Sequence, residues 1–325
     1  SSPLTQIPSN KISAIAFNNS FNRFYILFQS GLIVAYNDYE ALSPQYSTLM
    51  KFEGIWEDWF SLDFVVTTST LVAISREGSI ATIEEDLSTG TPKELDQVGV
   101  IEGGIAAAKW HPDYSSLIIF TRNNTLLCMS NSWEVINEIE VPAILPLSKV
   151  DLSWKGDGDL FSVVSTDDLD KITRIRVYDK ELTLTATGRN VGEGAAAVLK
   201  GVNPTLTFAC NGSYIAYHQE KPGVGHQVGF VEKNGLSHNS FDLRVPPAVG
   251  TGGDWKVESI QGDVTSLLLA VTWRLPASQN SVEYGCIQIY YRENYYWYLK
   301  QQMIEKSLQF LQFDPENTMR FFCQE

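Results

Sequence analysis

Val150-Asp-Leu-Ser-Trp154, Lys155-Gly-Asp-Gly158 and Leu160-Phe-Ser-Val-Val-Ser-Thr166 follow one another almost without a gap. An alternating run ending in a large ring, a glycine-punctuated polar turn and a second apolar run spell two antiparallel strands joined by a tight turn. After the polar loop Asp167-Asp-Leu-Asp170, Ile172 to Tyr178 alternates again, with Thr173, Arg174 and Arg176 interleaved. Asp179-Lys-Glu181 turns, and Leu182 to Thr187 closes a four-stranded meander.

The same phrase recurs at Ile105 to Trp110 followed by His111-Pro-Asp-Tyr114, at Leu206-Thr-Phe208 followed by Ala209-Cys-Asn-Gly212, and at Leu308 to Phe313 followed by Asp314-Pro-Glu-Asn317. Weaker copies centre on Phe17, Val66 and Ile260. Successive anchors lie about 44 to 54 residues apart, the period of β-propeller blades. One such sheet cannot bury both faces alone, so the units must stack around an axis. The expectation is all-β: a seven-bladed β-propeller of WD-repeat type, with residues 1–325 as a single domain. The last unit has two strands before Glu325, and residues 1–10, with Pro3 and Pro8, offer at most one edge strand. The last blade is therefore expected to be incomplete and the chain a fragment of a longer scaffold. Lys233-Asn-Gly235 is expected to form a type I′ hairpin turn. The innermost strands (Ile12–Phe17, Ile105–Trp110, Val150–Trp154, Leu308–Phe313) read as mainly apolar and small.

Among 325 residues, 24 Lys+Arg against 38 Asp+Glu give a net charge of -14, and no basic cluster stands out, which argues against non-specific nucleic-acid binding. The four cysteines, Cys128, Cys210, Cys286 and Cys323, are far apart and form no CxxC pair. They read as small buried hydrophobes. Asn18, Asn123 and Asn211 head sequons at expected turns. No apolar run approaches the length of a membrane span.

Catalytic signatures are absent: no GxSxG, HExxH, P-loop or Rossmann glycine pattern occurs. His111 sits in a turn, while His218, His226 and His238 lie on separate elements of the fifth unit, where two or three could converge. Asp167, Asp168 and Asp170 lack the spacing of a calcium loop and read as a solvated loop. Gly223-Val-Gly225 and Gly250-Thr-Gly-Gly253 read as loop segments with no helix N-terminus behind them. No catalytic, cofactor or metal residue is assigned. The run Tyr290-Tyr-Arg-Glu-Asn-Tyr-Tyr-Trp-Tyr298 is different, because alternation can bury only half of its rings. Tyr, Trp and Arg are enriched in protein-contact hot spots, so Arg292, Tyr295, Tyr296, Trp297, Tyr298 and Lys300 are the partner-contact candidates. Alternation places Tyr296 and Tyr298 opposite Tyr295 and Trp297.

Val150-Asp-Leu-Ser-Trp-Lys-Gly-Asp-Gly-Asp-Leu-Phe161 resembles the SWRGDG-x-x-F segment of the largest Elongator subunit, the IKAP family. Gly104-Ile-Ala-Ala-Ala-Lys-Trp110, Phe230-Val-Glu-Lys-Asn-Gly-Leu236, Ile287-Gln-Ile-Tyr290 and Asn294-Tyr-Tyr-Trp-Tyr-Leu-Lys-Gln301 are similar to it in the same order. The family's Gly-Trp-Gly segment and insertion are missing from Glu140 to Lys149, and Ser237 and Asn239 depart from it around His238. The resemblance implies a non-catalytic scaffold propeller of the Elongator complex, in the cytoplasm and also the nucleus. Its implied partners are the WD-repeat subunit and the catalytic acetyltransferase/radical-SAM subunit, with tRNA met only indirectly. That complex modifies wobble uridine at C5 in tRNA, and its acetyl-CoA and iron–sulfur chemistry belongs to the other subunit, so no cofactor is implied for this chain. The alternative reading of the residues is a propeller hydrolase with carboxylates at the central channel, which would need acid/base groups converging there from several blades. Scattered Cys and His lead to the expectation that elemental analysis of purified protein finds no stoichiometric zinc or iron; either metal at one equivalent overturns it.

Overall fold

The computed structural model describes residues 12–18, 22–37, 45–51, 58–86, 91–146, 148–189, 204–221, 223–249, 254–276, 283–306, 311–313 and 321–323. Blade 1 runs through β1 (Ile12–Asn18), β2 (Arg23–Phe28), β3 (Leu32–Asn37) and β4 (Gln45–Lys51), and blade 2 through β5 (Trp59–Val65), β6 (Thr70–Ser75), β7 (Ser79–Asp86) and β8 (Thr91–Val100). Blade 3 is β9 (Ile105–Trp110), β10 (Ser116–Thr121), β11 (Thr125–Ser130) and β12 (Val135–Glu140). Blade 4 is β13 (Asp151–Trp154), β14 (Leu160–Thr166), β15 (Thr173–Asp179) and β16 (Leu184–Arg189). Blade 5 is β17 (Leu206–Phe208), β18 (Ile215–Lys221), β19 (Gly225–Val231) and β20 (Ser237–Asp242), and blade 6 is β21 (Lys256–Gly262), β22 (Leu268–Leu275), β23 (Tyr284–Glu293) and β24 (Tyr296–Lys306). Every pairing is antiparallel between chain neighbours, so each blade is a simple meander.

Among the described residues the propeller has six four-stranded blades, not seven. The seventh anchor, Phe313, belongs to a two-stranded ladder of β25 (Leu311–Phe313) with β26 (Phe321–Cys323). Counting anchors counts innermost strands, and an innermost strand does not bring a whole sheet with it. Leu308 to Phe310 and Asp314 to Asn317 lie outside the described residues, as do residues 1–10 and Gly250 to Gly253. Val66 was also misplaced as an anchor: it is the first residue of the turn after β5 and half exposed, while Phe64 and Val65 are buried.

Successive blades bury their faces against each other. Leu62, Phe64 and Leu71 of blade 2 pack with Tyr25, Leu27 and Ile33 of blade 1, and Val72, Ile74 and Ile80 with Ile105, Trp110 and Leu117 of blade 3. Phe120 and Leu126 meet Trp154, Phe161 and Tyr178 of blade 4; Val164 and Val177 meet Phe208 and Tyr217 of blade 5. Phe230 and Tyr214 meet Trp273 and Tyr290 of blade 6, whose other face receives Leu311 and Phe313. Trp110 and Trp154, the large rings that end β9 and β13, are buried.

Glycine is required where Gly156-Asp-Gly158 turns. Gly158 is left-handed (φ 77°), and a Cβ there would overlap the imidazole of His111 from blade 3, whose Nε2–H donates to the Gly158 carbonyl at 3.2 Å. Asn18 is no turn residue; it ends β1 and is buried. The outer hairpin of blade 5 is left-handed only at Gly235 and closes by Glu232 N–H to Leu236 O at 2.9 Å, so it is not the expected type I′ turn, which needs two positive φ values. The same closure recurs in blades 3 and 4 with Trp133 (φ 69°) and Leu182 (φ 66°) at the left-handed position. Such side chains resist that conformation. Burial offsets the cost: Leu182 sits in the Trp154–Phe161–Tyr178 cluster, and Trp133 meets Trp110 edge-on at 5.9 Å.

Trp154→Ala is expected to cost about 3–5 kcal/mol. Leu182→Ala should cost about 2–5 kcal/mol, and Leu182→Gly should recover about 1 kcal/mol of that by relieving the left-handed strain. Urea unfolding of the variants measures both; Leu182→Gly less stable than Leu182→Ala would disprove the strain argument.

Candidate functional site

Two places gather functional side chains: the propeller axis and the β23–β24 hairpin. On the axis, alternate residues of the innermost strands line a cavity of about 500 Å³. Many of them are polar, where these strands read as mainly apolar: Ser13, Ser61, Asp63, Lys109, Asp151, Ser153, Thr205, Thr207, Ser259, Gln261 and Gln312 line it, beside apolar neighbours such as Ile15. The apolar residues that dominated that reading are the ones between them, which point into the sheet interfaces.

These side chains join neighbouring blades. Asp151 Oδ2 accepts from Thr205 Oγ1–H at 3.0 Å and from Leu206 N–H at 3.1 Å, and Ser153 Oγ accepts from Phe208 N–H at 2.9 Å. One blade further, Thr205 Oγ1 accepts from Ile260 N–H and Thr207 Oγ1 from Gly262 N–H, both at 3.1 Å. Gln261 Nε2–H donates to Leu311 O at 2.7 Å. Lys149 Nζ–H, just ahead of blade 4, reaches past the neighbouring blade to Glu258 O of blade 6 at 3.0 Å. The bonds to backbone N–H all span 55 residues, the local repeat length. Of the three carboxylates at the cavity, Asp151 is thus committed, and Asp263 accepts from its own turn at Thr265, Leu267 and Leu268 N–H. Asp63 receives one bond, from Ser61 Oγ–H at 2.8 Å. Burial raises its carboxyl above the ordinary 3.8, against the opposing pull of the Lys109 charge.

The hairpin presents the expected aromatic candidates in a defined arrangement. Cross-strand pairing sets Tyr291 opposite Tyr298, Arg292 opposite Trp297 and Glu293 opposite Tyr296. Trp297 turns inward and stacks on Phe230 (5.7 Å, 12°) and Phe241 (6.0 Å, 19°) of blade 5, partly buried against the core between blades 5 and 6. Tyr296 and Tyr298 turn outward, 68% and 53% exposed, beside Tyr291 at 37%. Tyr295 departs from the expected pairing with Trp297: it occupies the turn, after left-handed Asn294, and is 86% exposed. A bulge leaves Lys300 without a cross-strand partner, and its ammonium lies 5.5 Å from the Tyr291 ring centre. Arg292 lies 5.4 Å from the Tyr214 ring centre and ties the hairpin to the β21–β22 turn through its N–H to Leu267 O at 2.8 Å. Val264 and Leu267, both exposed, extend the apolar surface on that turn.

The remaining candidates resolve otherwise. Asp167 is buried, not solvated, and is held by Arg176 through both carboxylate oxygens (2.8 and 2.6 Å) and by Arg174 at 2.5 Å. Hydrogen bonding to Arg174 holds Asp170 down at about 2. His218 and His226 meet, whereas His238 pairs with Glu232 at the outer hairpin. Cys128 and Cys286 are buried, and burial raises Cys286 to about 12; Cys210 sits half-buried in a turn. Among the described residues, no three His, Cys, Asp or Glu side chains converge as metal ligands.

The model of the ELP1 first N-terminal beta-propeller matches residues 2–145 and 143–316. The chain belongs to that family. It is 28% identical over 251 residues to Elongator complex protein 1 of Rattus norvegicus, covering 65% of this chain and 18% of that protein. A putative elongator complex protein 1 of Xenopus laevis is 33% identical over 174 residues (52% and 14%), and Elongator complex protein 1 of Saccharomyces cerevisiae 25% identical over 322 residues (76% and 22%). The chain therefore spans less than a quarter of the length of these Elongator relatives. Among solved structures, the Myceliophteria thermophila Cps50 (Swd1) β-propeller domain superposes with a TM-score of 0.57 at 12% identity, over 87% of this chain and 84% of that one. A chain of the Mitotic Checkpoint Complex does so at 0.59 and 13%, over 90% and 77%. These last two likenesses speak to the propeller fold alone.

Because the folded state holds the Asp63 proton to higher pH than the unfolded chain does, stability is lost as pH rises from 3.8 through the raised value. Asp63→Asn in this Elongator propeller should raise the urea midpoint at pH 7, with the gain disappearing below about pH 4. An equal effect at both pH values would mean that the Asp63 charge is not the cause.

Proposed function

We propose that the chain serves as a non-catalytic interaction platform in the Elongator complex, with the outward tyrosines of β23 and β24 as its docking face. The observation that carries this is the split of one hairpin: Trp297 packs it against the core while Tyr291, Tyr295, Tyr296 and Tyr298 are exposed. Rigid aromatic rings bury much area at little rotamer cost, and Arg292 and Lys300 add charged contacts at the rim. Family membership makes the other Elongator subunits, the WD-repeat subunit and the acetyltransferase/radical-SAM subunit, the partners of choice. On this reading the work is structural support for wobble-uridine modification of tRNA performed by another subunit, in the cytoplasm and nucleus. Commitment of the axial Asp151 and Asp263 to backbone N–H groups supports a structural rather than catalytic axis.

The paired substitution Tyr296→Ala/Tyr298→Ala in the full-length protein should weaken co-purification of the partner subunits with little change in thermal stability. Trp297→Ala should instead cost about 3 kcal/mol of stability. If the tyrosine pair leaves assembly intact, or unfolds the blade as Trp297→Ala does, the docking face lies elsewhere. With a net charge of -14, this propeller alone should bind tRNA weakly at physiological salt. Submicromolar binding with a steep salt slope would reveal a basic face.

A further inference from the structure

Two of the fifth unit's histidines come together inside the joint between blades 5 and 6. His218 on β18 and His226 on β19 sit diagonally across the ladder, since His218 faces Val228 and His226 faces Glu220. Their rings stack at 5.2 Å and 24°, and His218 Nε2 and His226 Nδ1 share one N–H···N hydrogen bond of 3.0 Å. His226 meets the buried Trp273 of blade 6 edge-to-face at 5.1 Å. From Trp273 a buried polar line continues: its Nε1–H donates to Gln288 Oε1 at 2.9 Å, which also accepts from Tyr290 O–H at 2.9 Å. Gln288 Nε2–H donates to Arg244 O at 2.6 Å and to Gln302 Oε1 at 2.8 Å. Gln288 and Tyr290 are on β23 and Gln302 on β24, the two strands that carry the exposed tyrosines.

The neutral pair needs one proton between its facing nitrogens. One added proton leaves that hydrogen bond intact as imidazolium to imidazole. A second sets N–H against N–H across 3.0 Å and places two positive charges side by side, one on buried His218 and one on half-buried His226. Glu220 on β18 and Asp254 ahead of β21 favour charge on His226, but burial outweighs them and lowers it; burial and the His226 charge push His218 down to about 3. Asp242 is engaged by Gln227 Nε2–H at 2.6 Å, and Arg244 enters the network through its backbone. With both folded values below the ordinary 6.5, the unfolded or opened state binds more protons, so stability is lost as pH falls below 6.5.

We infer that protonation of the His218–His226 pair in mild acid opens the joint between blades 5 and 6 and loosens the β23–β24 hairpin, which makes the tyrosine face acid-sensitive. The regulatory meaning of this device rests on the docking role proposed above, but the opening itself does not.

Amide hydrogen exchange of the full chain at pH 7 and pH 5, corrected for intrinsic rates, tests it. Segments 215–228 and 286–302 should lose protection at least about tenfold at pH 5, while β9 to β11 do not. His218→Gln/His226→Gln, which keeps hydrogen-bonding groups but cannot charge, should abolish the difference. Unchanged protection in the wild type, even loss across all blades, or the same loss in the double variant would overturn the inference. Should the variant fail to fold, imidazole resonances of the wild type decide. Coupled titration well below 6.5 supports the device, and two independent titrations near 6.5 refute it. Because exchange is read without a partner, its failure leaves the docking reading untouched. A tyrosine substitution that spares assembly at pH 7 counts against docking alone.

Discussion

The inner edge of each blade is the constraint on which the rest of the propeller depends. An innermost strand has a neighbour on one side only, so its other row of N–H and C=O groups faces the axis, where an unpaired buried amide is costly. Asp151 and Ser153 supply acceptors for Leu206 and Phe208, and Thr205 and Thr207 do so for Ile260 and Gly262. Short polar side chains at alternate positions are what this needs: long enough to reach one strand across, and stiff enough to hold a bond without much entropy loss. The same bonds fix the distance between innermost strands, and through it how the sheet faces meet further out.

Much of the fold could be read from sequence because a meander writes its period directly. Val150 to Thr166 announces strand, turn and strand through alternation and glycine, and Trp110 and Trp154 mark where each innermost strand ends. What could not be read has physical causes. Anchor spacing reports innermost strands only, so Phe313 was counted as a seventh, incomplete blade where the described residues form a two-stranded ladder. Asp-Leu-Ser at 151–153 and Thr-Leu-Thr at 205–207 look like ordinary half-buried strand, because the acceptor and the amide that it serves are a whole blade apart. Their shared polar-apolar-polar pattern was the available signal.

At the hairpin, alternation separated Trp297 from Tyr296 and Tyr298 but failed at Tyr295, since a turn residue follows the turn's geometry and not the strand's period. The acidic loop misled for a related reason. Asp167 looks solvated beside Asp168 and Asp170, yet Arg174 and Arg176, two positions apart on β15, both reach back to it. Likewise His218 and His226 are separated by a loop and meet only because β18 and β19 pair in one particular register.

The axial bonds to backbone N–H also have a direction. In each, the side-chain acceptor belongs to the earlier blade and the amide to the later one. A ribosome delivers the chain in that order, so a newly emerged innermost strand finds its acceptors already folded and waiting. At the joints between blades 4 and 5 and between blades 5 and 6, each docking closes a loop of 55 residues. Growth from one end thus proceeds by local steps of similar entropic cost, and translation itself becomes the assembly line of the ring.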